Sequence, residues 1–128
     1  MRFILTSVLA GTVILSSCVV ALDGDQQQAL DLHNQARAGK GVPGLWWDEG
    51  LARDAQDWAN YLRGVGGLEH STGGGENLYW QPWTSGDSLA QASQAWINEA
   101  SNYWGQAIGE GDFMSYGHYS ESWPFLPR

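Results

Sequence analysis

Cysteine occurs once, at position 18, and lysine once, at position 40, in a chain of 128 residues. A single thiol excludes an internal disulfide and any cysteine-based zinc cluster. Positive charge is equally scarce: 6 basic against 14 acidic side chains leave a net charge of −8. That balance gives no electrostatic basis for holding nucleic acid or an anionic membrane. The length excludes a two-domain enzyme, and there are no internal repeats or heptads. What is abundant is aromatic surface. Eight tryptophans in a composition 43% hydrophobic argue against disorder and for a tight core or an aromatic-lined ligand groove.

The N-terminus reads as a leader. Met1-Arg2 is followed by an apolar stretch from Phe3 to Leu15 and then by small residues and Val19-Val20-Ala21, the order of a secretory signal peptide with cleavage after Ala21. Thr6, Ser7, Gly11, Thr12, Ser16 and Ser17 interrupt the run and weaken a membrane-spanning reading. Leu15-Ser16-Ser17-Cys18 also resembles a bacterial lipobox, in which Cys18 would carry a lipid. The expectation is therefore residues 1–21 as leader and residues 22–128 as one secreted, extracellular domain. That mature domain has no cysteine and no stable membrane insertion, and is held together by packing alone.

Helical spacing marks three elements in the mature chain. Asp25 is placed to cap a first helix through Leu30, Leu32, His33 and Ala36, ending near Gly39. Asp48 caps a second, in which Leu51, Ala55, Trp58 and Leu62 form one apolar face and Gly64 is the stop. A third begins near Asp87 with a stripe of Ala92, Trp96, Glu99 and Tyr103. Between the second and third, a glycine-rich loop delivers His70 just ahead of Glu76-Asn77-Leu78-Tyr79-Trp80, which reads as a short strand. Gly117-His118-Tyr119-Ser120-Glu121-Ser122-Trp123 reads as another. Gly73-Gly74-Gly75 is neither a P-loop nor a dinucleotide fingerprint, because no Lys-Ser/Thr and no following helix accompany it.

Glu99 shares a helical face with Trp96 and Tyr103, where an unpaired carboxylate is costly. Its candidate partners are His70, Glu76 and His118. Two imidazoles and two carboxylates meeting there would suit Zn²⁺ or another divalent cation, although His/Glu pairs also form ion pairs with no metal. His33 reads as a structural residue of the first helix. Tyr79, Trp80 and Trp83 form an aromatic stretch suited either to an apolar ligand or to the core.

Five segments, in order, resemble the CAP superfamily of cysteine-rich secretory, antigen 5 and pathogenesis-related class 1 proteins (the SCP domain). They are Leu32-His33-Asn34-Gln35-Ala36-Arg37, Leu51-Ala52-Arg53-Asp54-Ala55-Gln56-Asp57-Trp58-Ala59, His70-Ser71 through Gly75-Glu76-Asn77-Leu78, Trp96-Ile97-Asn98-Glu99 and Gly117-His118-Tyr119. In its lack of thiols the mature chain looks like the secreted members from filamentous fungi. The resemblance implies an α+β fold, an α-β-α sandwich around a central antiparallel sheet, with a groove holding His70, Glu76, Glu99 and His118. Family members continue past the Trp of the last motif, so the expectation for this chain is a domain incomplete at its C-terminus and lacking the last strands. Ser120-Glu121-Ser122 also stands one residue short of the family's spacing before that Trp.

Three functions follow as expectations. The resemblance implies a non-enzymatic binder of sterols or fatty acids, secreted and extracellular, including the cell wall, with contact through Tyr79, Trp80 and Trp83. A metal-dependent hydrolase is the alternative, with Glu76 or Glu99 as base on a water polarised by an ion at His70 and His118. No HExxH helix supports it, and no Ser or Cys nucleophile with a neighbouring base is evident. A secreted effector or defence-type protein acting through contacts with a protein partner is the third.

Overall fold

The computed structural model describes residues 21–82, 86 and 88–123. The expected leader apart from Ala21, the Asp87 start of the third helix, and Trp83 lie outside the described residues. Helix α1 spans Gly24–Ala38 and opens on a reciprocal cap. The Asp23 carboxylate accepts from the Gln26 N–H at 2.8 Å, and the Gln26 side chain accepts from the Asp23 N–H at 3.0 Å. This arrangement satisfies two N–H groups that a helix start otherwise leaves unpaired. Asp25, the expected cap, does something else. Its two oxygens accept from the N–H groups of Leu89 and Ala90 at 2.9 and 2.8 Å. It therefore caps helix α3, Ser88–Asn98, from the neighbouring helix.

Helices α1 and α3 form the main packed pair. Ala29 on α1 and Ala90, Ala92 and Ser93 on α3 are buried, and such small side chains let two helix backbones approach closely. A second centre of packing is aromatic. Tyr103 lies 5.5 Å from Tyr116 and 5.9 Å from Tyr119, ring centre to ring centre, and Tyr119 lies 5.2 Å from Trp123. These tilted geometries avoid the face-to-face sandwich that aromatic quadrupoles disfavour. Tyr116 is the most buried of these, and its hydroxyl donates to the Glu110 carbonyl at 2.7 Å while accepting from the Gly109 N–H at 3.1 Å. One tyrosine thus pins the glycine loop between residues 105 and 111.

Helix α2, Glu49–Val65, starts on Asp48 as expected. The Asp48 carboxylate accepts from Gly50 and Leu51. It ends two residues past the expected stop, at Gly66, whose φ of 76° is the left-handed conformation that glycine adopts without a steric penalty. The apolar face expected to pack is largely uncovered. Leu62 is buried and Trp58 partly so, whereas Leu51 is 70% exposed and Ala55 is exposed too. The helix is tied down chiefly at Trp58, which stacks on Tyr61 and whose indole N–H donates to the Glu69 carbonyl at 2.9 Å.

The expected α-β-α sandwich is not formed. Among the described residues there is no strand and no sheet. Residues 76–80 take up no regular secondary structure, and residues Gly117–Glu121 form a short helix, α4, instead of a strand. Alternating side chains make a strand only where a neighbour takes up its backbone N–H and C=O groups. In residues 117–123 those groups are taken by local bonds and by side chains, with no strand partner. The N–H of Ser120 donates to the Tyr116 carbonyl at 3.1 Å and that of Ser122 to Tyr119 at 3.1 Å. The Ser120 hydroxyl bonds back to the Gly117 carbonyl at 2.6 Å. The stripe of the third helix is corrected as well: α3 stops at Asn98, and Glu99 opens a tighter 3₁₀ turn over Glu99–Asn102. Among the described residues no helix is long and apolar enough to cross a membrane.

Candidate functional site

The 3₁₀ turn after α3 brings Glu99 to α4. Its Oε1 lies 2.7 Å from Nδ1 of His118, and its Oε2 accepts the N–H of Tyr119 at 3.1 Å. Trp96, one turn earlier, stacks on the His118 ring with 6.1 Å between centres. A carboxylate at Nδ1 and an indole face together fix the orientation of the imidazole, leaving Nε2 as its second functional nitrogen.

The second pair lies on the glycine-rich loop. Nδ1 of His70 is 3.0 Å from Oε1 of Glu76, and the same oxygen accepts the N–H of Ser71 at 3.0 Å. The His70 side chain is 64% exposed and that of Glu76 only 22%. Burial alone would raise the Glu76 pKa. The bonds from the Ser71 backbone, the His70 ring and the Ser71 hydroxyl outweigh it and hold the carboxyl below its ordinary value.

The four residues expected to meet in one groove form two His/Glu pairs, His70 with Glu76 and His118 with Glu99. Among the described residues no group of three or more His, Cys, Asp or Glu side chains is placed to hold one ion. The two pairs are linked through Asn77, next to Glu76 in sequence, whose side-chain amide donates to the His118 carbonyl at 2.9 Å. Asn77 was legible only as part of a motif; its role across 41 residues needed the structure. Tyr79 sets its ring edge-on to Trp96 at 6.5 Å, and Trp80 beside it is 69% exposed.

A cavity of about 660 Å³ opens on the α1 side, lined among others by His33, Arg37, Leu45, Asn77, Trp96, Ile108 and Trp123. Arg37 is only 6% exposed. Its Nε donates to the Pro43 carbonyl at 2.7 Å and its Nη1 to the Ser122 carbonyl at 2.6 Å. His33 is held below its ordinary pKa first by burial and then by the Arg37 charge. The sequence marked Arg37 only as the end of a motif segment; its partners are backbone carbonyls brought to it by the fold.

Comparison with known proteins decides the family. The model of the cysteine-rich secretory protein family, CAP, matches residues 30–121, which take in all five motif segments and both His/Glu pairs. The chain belongs to the CAP family. This CAP chain is 38% identical over 122 residues to pathogenesis-related protein 1C of Nicotiana tabacum, covering 93% of the chain and 70% of the relative. It is 42% identical over 100 residues to pathogenesis-related protein 1 of Arabidopsis thaliana, covering 71% of the chain and 60% of the relative. It is 40% identical over 96 residues to secreted protein RBT4 of Candida albicans, covering 74% of the chain and 25% of that protein. The CAP chain thus spans less than two thirds of some of these relatives. No solved structure matches it.

Proposed function

We propose that this CAP chain is a secreted, non-enzymatic binding protein of the extracellular space, including the cell wall, that takes a sterol or another small lipid at its aromatic segment. The observation that carries the reading is Trp80, 69% exposed beside a half-exposed Tyr79. A large indole left in water next to an anchored ring forms an apolar platform that a flat hydrophobic ligand would cover. Tyr79 is braced by Trp96, and Trp96 by His118, so the platform stands on the Glu99 pair. Trp83 joins the proposal by sequence position alone. Secretion is supported by the leader pattern and by the relatives, one of which is named a secreted protein. The names of the plant relatives support a role in defence.

The four His and Glu residues have the donor chemistry that Zn²⁺ accepts, but their placement in two pairs does not fit a single ion. The proposed binding therefore has no step that uses a metal. The test is saturable binding of labelled ergosterol or cholesterol to the purified chain and to Trp80→Ala. Saturation at micromolar sterol, lost in the variant, supports the reading; no saturable binding removes it.

A further inference from the structure

We infer that the cavity beside Arg37 is a second binding site, distinct from the Trp80 platform, for a compact organic carboxylate with a flat apolar body. The first reason is an uncompensated charge. Arg37 is nine-tenths buried, yet the ion pairs among the described residues are the two His/Glu pairs, and neither includes it. Its guanidinium spends two donors on carbonyls and, among the described residues, meets no carboxylate. A buried cation without a counter-charge is costly, and a bound anion removes that cost.

The second reason is independent of charge. Among the described residues Ser122 Oγ and Trp123 Nε1 are buried with no hydrogen-bond partner, and both residues line the same cavity. An indole N–H can only donate, so the group it lacks is an acceptor. One carboxylate would serve the guanidinium and this donor together. The remaining wall, with the indole of Trp96, suits a ring system, and about 660 Å³ lies in the range of small-molecule sites. Glu121 is the one carboxylate on the lining among the described residues, and it is exposed, so water and salt screen its repulsion of an anion.

Isothermal titration with 1-naphthylacetate, 2-(1-naphthyl)ethanol and palmitate tests this. Saturable binding of the acid is expected, with the alcohol weaker by about tenfold or more, the usual range for a charge-assisted hydrogen bond. Trp123→Phe removes the indole N–H together with part of the ring that packs on Tyr119, so it should lower thermal stability somewhat and weaken the acid severalfold more than it weakens the alcohol. Arg37→Gln should abolish binding, and the Trp123→Phe result stands even where Arg37→Gln fails to fold. Equal binding of acid and alcohol, tighter binding of palmitate, an unaffected Trp123→Phe, or no saturation at millimolar acid would each overturn the assignment. Trp80→Ala should leave the acid's affinity intact and ergosterol should not displace it, so this site and the sterol platform stand or fall separately.

Discussion

Glu99 holds His118 from two sides of one turn, with Oε1 on the ring at 2.7 Å and Oε2 on the amide that follows it, the Tyr119 N–H at 3.1 Å. The carboxylate is thus both the orienting partner of the imidazole and the group that keeps residues 117–121 helical beside α3.

Replacing Glu99 with Gln keeps the shape but turns one acceptor into an NH₂ that faces a donor. Hydrogen bonds to charged groups contribute roughly 1.5–3 kcal/mol, and Glu99→Gln should lose about that much stability in urea unfolding. Hydrogen exchange at the Tyr119 amide should accelerate in the same variant. A stability change within about 0.5 kcal/mol, the range for surface substitutions, would mean that the second oxygen is not needed.

The reach of Asp25 to α3 makes a prediction that its own helix does not. Loss of an N-cap acceptor costs about 0.5–2 kcal/mol. Asp25→Ala should fall in that range and speed hydrogen exchange at Leu89 and Ala90, leaving the first turn of α1 protected. Asp23→Ala should do the reverse. Faster exchange at the start of α1 in Asp25→Ala would return that residue to the role the sequence suggests.

These two aspartates show where sequence reasoning works. Asp48 was legible because it meets the N–H groups two and three residues further along its own helix, whereas which imidazole pairs with which carboxylate was left open. Asp23 and Asp25 stand two apart, either can cap, and the choice is made by Leu89 and Ala90 at a separation of 64 and 65 residues. Glu99 was legible as a carboxylate on an apolar face in need of a partner. The sheet was misread for a related reason: residues 117–123 alternate as a strand does, but alternation supplies no partner, and local bonds within the segment closed the helix instead. Arg37 lay hidden because its partner Ser122 is 85 residues away.

His33 gives the chain a pH dependence whose sign can be worked out. Burial and Arg37 lower its pKa in the folded state below the ordinary 6.5. As pH falls through about 6.5, the unfolded chain takes the proton first, so stability declines there and levels off once the folded imidazole also protonates. Stability measured by urea unfolding should therefore be higher at pH 8 than at pH 5.5, and His33→Gln should flatten that part of the curve. A wild-type profile with no fall, or a variant profile that keeps the full slope, would assign the effect to other groups.

The uncovered face of α2 separates residues that the helical pattern treats alike. Leu51 and Leu62 belong to one apolar stripe, yet Leu51 is 70% exposed and Leu62 7%. Truncating a buried leucine to alanine costs roughly 2–5 kcal/mol, because contacts are lost and a cavity remains. Leu62→Ala should approach the lower end of that range, since the helix around it is thinly packed. Leu51→Glu should change stability by no more than about 0.5 kcal/mol, the usual range for a solvated position. The charge would also face water without penalty near the N-terminal end of the helix, where the macrodipole favours an acid. Equal and large losses in both variants, read from urea unfolding at low micromolar protein, would show that something covers Leu51 in solution. Repeating the measurement across a tenfold range of protein concentration then tells a second copy of the chain from an intramolecular partner, because only the former makes the transition concentration-dependent.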